Sequence, residues 1–476
     1  MKRLVLMTLA VIAVAMPVFS EKQMSRNDVL KYAFENSTGL AQIKAERERI
    51  EFMRKEYNGM AFPDINGAVN YVFAPNLNGD SPSLLDGLAP YLNTGEDAEG
   101  KPADWYMNDM ILANALDQTM SGIANSMSAK NTLMWEVKAT QPIFVQGKVK
   151  TGLRIARIAL EAIDLQYKDM QFSLAQSITN SYNGALLAQQ NLIIQKDALV
   201  ISEESHRLSV ARFSTGRGSA LDTLNTRFAV QQAVLRLREA EKGQRLSIKA
   251  LANAASMQDD NFTLSDSLTI PNFNMSEETA WDEMQKNNTT LQLLNQAMDL
   301  QSEQTHLVKT DYLPMLAAFA SIGQANLFNT ASEFSGDNSW LWSSKIGLSL
   351  QVPIWNGGQR RSRVHQAKIE ELKLEKQEIQ ATDGLRLALS AAFEDLAVAR
   401  EELLQSEQML ALAQQGFKIS KLSFEIGQLT QLELNNAEQM YRMAKLAQNS
   451  AVFNMNSAVV NIEKLIGDEN LIKIGN

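Results

Sequence analysis

Few side chains in this 476-residue sequence are spaced for chemistry. His206, His306 and His365 could each ligate a metal or move a proton. None has another histidine or a carboxylate at a ligand spacing that recurs in both halves of the chain. His206 reads as a packing residue. Cysteine is absent, so there is no disulfide, no thiolate metal site and no cysteine to carry a lipid. No nucleophile motif or phosphate loop occurs, and Gly216-Arg217-Gly218 is too short to be one. The acidic residues Asp222 and Glu433 do recur, each six positions past a glycine, Gly216 and Gly427, and each followed by an asparagine, Asn225 and Asn436. A lone carboxylate supplies fixed negative charge and attracts cations, but it has no partner here for acid–base work. The sequence therefore predicts no enzyme, cofactor or metal. Taken alone, Glu433 reads first as a solvated carboxylate on a helix face; only its match to Asp222 across the two halves puts a charged-ring role level with that.

The elements that position these residues are written twice. Gln141-Pro-Ile-Phe-Val-Gln-Gly147 mirrors Val352-Pro-Ile-Trp-Asn-Gly-Gly358 at an offset of 211 residues. The same offset relates Gly216 to Gly427, Leu221 to Leu432, Asp222 to Glu433 and Asn225 to Asn436. Upstream, Asn36 and Asn287, Leu40 and Leu291, and Pro63 and Pro314 are related by 251. The difference of 40 measures an insertion in the first copy, within residues 74–130, which carries loop-type NGDSPS and TGEDAEGKPAD segments. The expected organisation is a leader 1–20, a first repeat 21–262, a linker 263–275 and a second repeat 276–476. Each repeat should run helix, strand, loop, strand, very long helix, glycine turn, long helix. The linker is expected to add short strands.

Alternation defines the strands. Ile65, Val69, Tyr71 and Phe73 oppose Asp64, Asn66 and Asn70; Leu133, Trp135 and Val137 oppose Glu136, Lys138 and Thr140. Ile346, Leu348, Leu350 and Val352 oppose Lys345, Ser349 and Gln351. The strand after Pro314, MLAAFASI, is apolar on both faces. Pro142 and Pro353 lack an N–H and mark strand ends, and Gly147, Gly357 and Gly358 let the chain turn at once into a helix. Trp135, Trp340 and Trp342, near strand ends, suit an interfacial girdle, with Trp355 at the elbow. Strand packing is the competing reading of each.

Both glycine-to-glycine spans, 147–216 and 358–427, cover 69 positions, or roughly 100 Å of helix at about 1.5 Å per residue. Leu385, Leu389, Ala392, Leu396, Ala399, Leu403, Ser406, Leu410, Ala413, Phe417, Ser420 and Phe424 follow a strict four–three step. The first copy keeps that register from Leu174 to Phe213. A sustained heptad predicts a left-handed coiled coil, and the glycine turns supply the antiparallel neighbour.

Lys2 and Arg3, followed by an apolar run to Met16 and small residues near Ser20, predict a cleaved export signal. The formal charge is −9, and loss of Lys2 and Arg3 would make it −11, which argues against nucleic acid as a partner. Four amphipathic strands cannot close a barrel alone, so several chains would have to share one.

The duplicated Pro-Ile-Phe/Trp-x-x-Gly joint, the two long helices and the glycine-led turns resemble the TolC family of outer-membrane efflux and secretion channels. The resemblance covers essentially the whole mature chain and implies an α+β membrane fold. Three copies would form a twelve-stranded β-barrel, with four strands from each, continued by an antiparallel coiled-coil α-helical barrel. It implies a homotrimer in the outer membrane of a Gram-negative bacterium, embedded in outer-membrane lipid, with its helices in the periplasm and residues 74–130 outside the cell. It also implies a passive exit duct working with a periplasmic adaptor protein and an inner-membrane transporter. By match from Gly427, the entrance ring would fall on Glu433 and Asn436, with the first-copy acid at Asp222. Two departures stand out: Asn436 is uncharged, and the arginine such channels place two residues past the second glycine is Leu429 here. That puts the closing salt bridge to Asp222 in doubt, with Arg217 the candidate replacement. The runner-up is a periplasmic coiled-coil adaptor or scaffold, which explains the heptads but not the strands.

Overall fold

The computed structural model describes residues 22–73, 131–328, 334 and 340–474. The expected leader, residues 1–20, and insertion, 74–130, lie outside the described residues. In chain order the elements are β1 (Lys22–Met24), α1 (Arg26–Asn36), α2 (Thr38–Gly59), β2 (Asp64–Phe73) and β3 (Asn131–Val145). Then come α3 (Lys148–Ser214), α4 (Ala220–Ala254), β4 (Phe262–Leu264), α5 (Glu277–Asn287) and α6 (Thr289–Thr310). The chain finishes with β5 (Met315–Phe328), β6 (Trp340–Gln351), α7 (Gln359–Glu425), α8 (Gln431–Ile466) and a short 3-10 turn, Glu469–Leu471.

The single helix expected at the head of each repeat is two helices. Ser37 and Asn288 leave the helical region with ψ of 123° and 122°. Each side chain then caps the second helix of its pair: Leu40 N–H donates to Ser37 Oγ at 3.4 Å and Leu291 N–H to Asn288 Oδ1 at 3.1 Å. Strand β1, too short to show alternation, pairs in parallel with β4 at the start of the expected linker.

The chain divides into two units that cut across the expected repeats, each drawing on both. One takes residues up to Glu51, Arg157–Ser302 and everything from Lys368; the other takes Phe52–Ala156 and Glu303–Ala367.

The first unit is helical apart from the β1–β4 pair. Its core gathers Val29, Leu30, Phe172, Ile178, Tyr182 and Leu251. A second cluster joins Met284, Leu389, Leu396 and Ile462. The heptad seam is what buries: Leu389, Ala392, Leu396, Ala399, Leu403, Ser406 and Phe424 are the buried residues of α7. In α3 burial spreads beyond the seam to Phe172, Ala175, Tyr182 and Leu186, because this helix also packs against α1, β1 and β4. The Tyr182 hydroxyl donates to Met24 O at 3.0 Å.

The second unit holds an antiparallel sheet in the order β2-β3-β5-β6. Its register aligns Val69, Trp135, Gln324 and Trp342 across the strands, and likewise Ala139, Ala320 and Ile346. One face therefore collects the apolar sets of β2, β3 and β6 together, with Ile65, Val69, Ile346 and Leu348 exposed. Trp135 and Trp342 meet edge to face on it, with centroids 6.2 Å apart. Asn66, Lys138, Ser321 and Lys345 form one row on the opposite face. Edge strands β2 and β6 each have one neighbour.

The proline expectation holds at one elbow and needs correction at the other. Pro353 lies just past the end of β6. Pro142 lies inside β3, paired with Ala317, and the ladder resumes at Phe144 after a register shift. A bulge absorbs the missing N–H and the strand continues to Val145. The turn comes at Gln146 and Gly147, with φ of 60° and 79°, matching Gly357 and Gly358 at 67° and 84°. Gln146 adopts a left-handed conformation that disfavours a side chain. Its amide donates to Leu313 O at 2.5 Å, which holds it there.

Candidate entrance site at the helical turns

The candidate residues sit where α3 hands over to α4 and α7 to α8, all within the first unit. Both turns are built alike. Gly216 N–H donates to Phe213 O and Arg217 N–H to Arg212 O; Gly427 N–H donates to Phe424 O and Gln428 N–H to Ser423 O. These crossed bonds satisfy carbonyls that the helix end leaves open, and they require a left-handed residue. Gly216 and Gly427 supply it at φ of 69° and 82°.

The two acids open the next helices. Ser219 caps α4 in a capping box with Asp222, and Thr430 caps α8 in the same way with Glu433. Glu433 Oε2 accepts from Thr430 N–H at 2.8 Å and from its hydroxyl at 2.7 Å. The backbone bond first, and then the hydroxyl, hold this exposed carboxyl below the usual range, so it stays charged. Asp222 Oδ2 takes the N–H of Ser219 at 3.4 Å. Asn436, one turn beyond Glu433, is exposed. Each acid thus has a structural task in its own turn, and the structure does not bring Asp222 and Glu433 into contact.

Arg217 forms no ion pair with Asp222 among the described residues. The side chain that ties the two turns together is Arg212. Its Nη2 donates to Phe424 O at 2.6 Å, and its guanidinium lies 4.1 Å from the centroid of the Phe424 ring. A cation thereby caps the C-terminal carbonyls of α7 and stacks on an aromatic face. Gln431 adds a second tie, donating to Ser205 Oγ at 2.6 Å and to Asn435 Oδ1 at 2.8 Å. The repeat offset places Ser423 opposite Arg212 and Ala220 opposite Gln431. The ties are made where the copies diverge, a signal that comparison for likeness alone discards.

Behind the turns the packing is polar. His206 Nδ1 lies 3.0 Å from the buried Thr226 hydroxyl, a packing role as expected. Further along α8, burial pushes Glu438 upward against the opposing pull of Arg442 and Arg236. No cluster of metal-ligating side chains is found among the described residues. No described helix is long and apolar enough to cross a membrane.

The family model for "Outer membrane efflux protein" matches residues 112–256 and 280–468. The chain is 24% identical over 283 residues to the alkaline protease secretion protein AprF of Pseudomonas aeruginosa, covering 58% of this chain and 57% of AprF. It is 22% identical over 405 residues to the outer membrane protein TolC of Escherichia coli, covering 82% and 77%. Among solved structures, the Campylobacter jejuni CmeC outer membrane channel superposes with a TM-score of 0.66 at 16% identity, over 93% of this chain and 85% of CmeC. The outer membrane protein VceC of Vibrio cholerae gives 0.67 at 13%, over 93% and 96%. With its model matched across most of the sequence, the chain belongs to the outer membrane efflux protein family.

Proposed function

We propose that three copies of this duplicated chain assemble into a passive channel of the outer membrane. Each gives four strands to a twelve-stranded barrel and its long helices to an α-helical barrel in the periplasm. The observation that carries this reading is the register of the sheet. It gathers the apolar side chains of separate strands on one exposed face and leaves β2 and β6 open at the edges. Open edges in a hydrocarbon layer are untenable, and four strands cannot close on themselves. Pairing β6 of one copy with β2 of the next removes every edge. The helices support the same assembly. Leu221, Leu224, Phe228 and Leu235 form an exposed apolar stripe on α4, and Met409, Leu412 and Ile419 form one on α7, beside its buried seam. A second stripe suits a second neighbour. The adaptor or scaffold alternative gives the sheet no role.

In this reading the channel is the exit duct of a tripartite efflux or type I secretion system, joined by a periplasmic adaptor to an inner-membrane transporter. AprF, a secretion protein by name, supports the secretion branch. Three copies of Glu433 and Asn436 ring the periplasmic mouth, with Asp222 on the neighbouring hairpin, and draw in cations. Arg212 holds the two hairpins of each chain together there. Purified protein should have the native mass of three subunits and conduct when reconstituted in planar bilayers. A monodisperse single subunit, or bilayers that pass no current, would overturn the proposal.

A further inference from the structure

The joint between sheet and helices carries a surplus of positive charge beside unusually exposed apolar side chains. Lys148 and Lys150 open α3, and Arg360, Arg361 and Arg363 open α7; neither helix has an acid in its first turn. Among the described residues, the one carboxylate that pairs with any of these five is Asp311. It lies 2.8 Å from Lys148 and 3.8 Å from Arg363. Arg360 leans on the Tyr312 ring at 6.0 Å and on Pro353 O at 3.4 Å. Arg361 is exposed and makes no ion pair there. The partial positive charge of both helix starts adds to this surplus. Next to it, Ile354 is 92% exposed and Trp355 84%. The joint also continues directly from the sheet that bears the apolar face.

Exposed bases and an aromatic ring at the rim of an apolar band are the pattern of a membrane interface whose headgroups are anionic. We propose that this joint binds anionic phospholipid in the leaflet nearest the helices. Arg360 and Arg361 hold the phosphate, while Trp355 and Ile354 lie among the upper acyl chains. Asp311 keeps Lys148 and Arg363 in place, so both elbows present their bases together. The proposal rests on the barrel reading and adds a lipid class and a site to it.

The test uses the intact assembly in detergent. Retention of phosphatidylglycerol and of phosphatidylcholine is compared by native mass spectrometry for wild type, Arg361→Gln and the double variant Arg360→Gln/Arg361→Gln. Wild type should retain phosphatidylglycerol preferentially and lose it as salt rises. Each arginine removed should weaken retention about fivefold, near 1 kcal/mol per basic residue. Phosphatidylglycerol should also raise the melting temperature, whereas inorganic phosphate at matched charge should not. Equal retention of both lipids, a phosphate effect equal to that of the lipid, or salt-insensitive binding by wild type would overturn the lipid site. Bilayer conductance of wild type, measured alongside, separates that failure from failure of the channel reading itself.

Discussion

Two regions of the first unit are held by opposite chemistry. Around Phe172, Tyr182, Leu251, Leu396 and Ile462 the helices meet through fully buried apolar side chains. Near the glycine turns the same helices meet largely through polar contacts, with fewer buried apolar side chains: His206 with Thr226, Gln431 with Ser205, and Arg212 with the Phe424 carbonyl, beside the buried Phe424 ring and a Phe417–Tyr441 stack. Apolar burial is non-directional and is lost only by pulling helices apart. A polar contact can be exchanged for water at a net cost of about 1 kcal/mol. The same long helices thus have a stretch that resists movement and a stretch that can rearrange more cheaply, and the candidate entrance lies in the second.

The largest effect expected is Leu396→Ala, which empties a site only 1% exposed between α7 and its neighbours. It should cost roughly 2–5 kcal/mol in denaturant unfolding. Thr226→Ala, equally buried but polar, should cost about 1 kcal/mol. Equal losses would erase the contrast.

Next comes a pH dependence in the apolar region. Burial, and then Asp468, push Glu463 from its ordinary 4.5 up to about 7, with Arg26 pulling the other way. The folded state therefore binds this proton more tightly than the unfolded one. The stabilisation is complete below pH about 4.5 and is lost as pH rises through about 7. Glu463→Gln should remove this slope and stabilise the protein at pH 8 by roughly 3 kcal/mol at most. Melting temperatures from pH 5 to 8 that stay parallel for wild type and variant would exclude the linkage.

Arg212→Ala should have a modest effect on stability, about 1–3 kcal/mol for a charged hydrogen bond, and a larger one on passage. Freed hairpins predict higher unitary conductance in planar bilayers. An unchanged conductance would make Arg212 merely a cap for α7. The smallest structural effect belongs to Glu433→Gln, since glutamine can also complete a capping box. Melting should hardly move, while reversal potentials should show weaker cation preference. Unaltered selectivity would leave Glu433 a cap and nothing more.

The amino-acid pattern alone specified the long helices, because heptad spacing from Leu385 to Phe424 and the glycines beyond it are local instructions that each turn obeys by itself. It also marked the faces of β2, β3 and β6 through strict alternation. What it left open was set by distant partners. That Pro142 would be swallowed by a bulge depended on β5 lying alongside. That Ser37 and Asn288 would each break a helix turned on their caps, and β1 needed β4, more than 200 residues away, to exist at all. At the candidate entrance, Asp222 and Glu433 could be located by counting from Gly216 and Gly427, yet their carboxylates cap their own helix starts. Arg212 was invisible as a tie because its acceptor is a backbone carbonyl, which no side-chain pattern encodes. Periodicity is written in neighbours along the chain, whereas charge pairing, bulges and cross-hairpin contacts come into being only when remote segments meet.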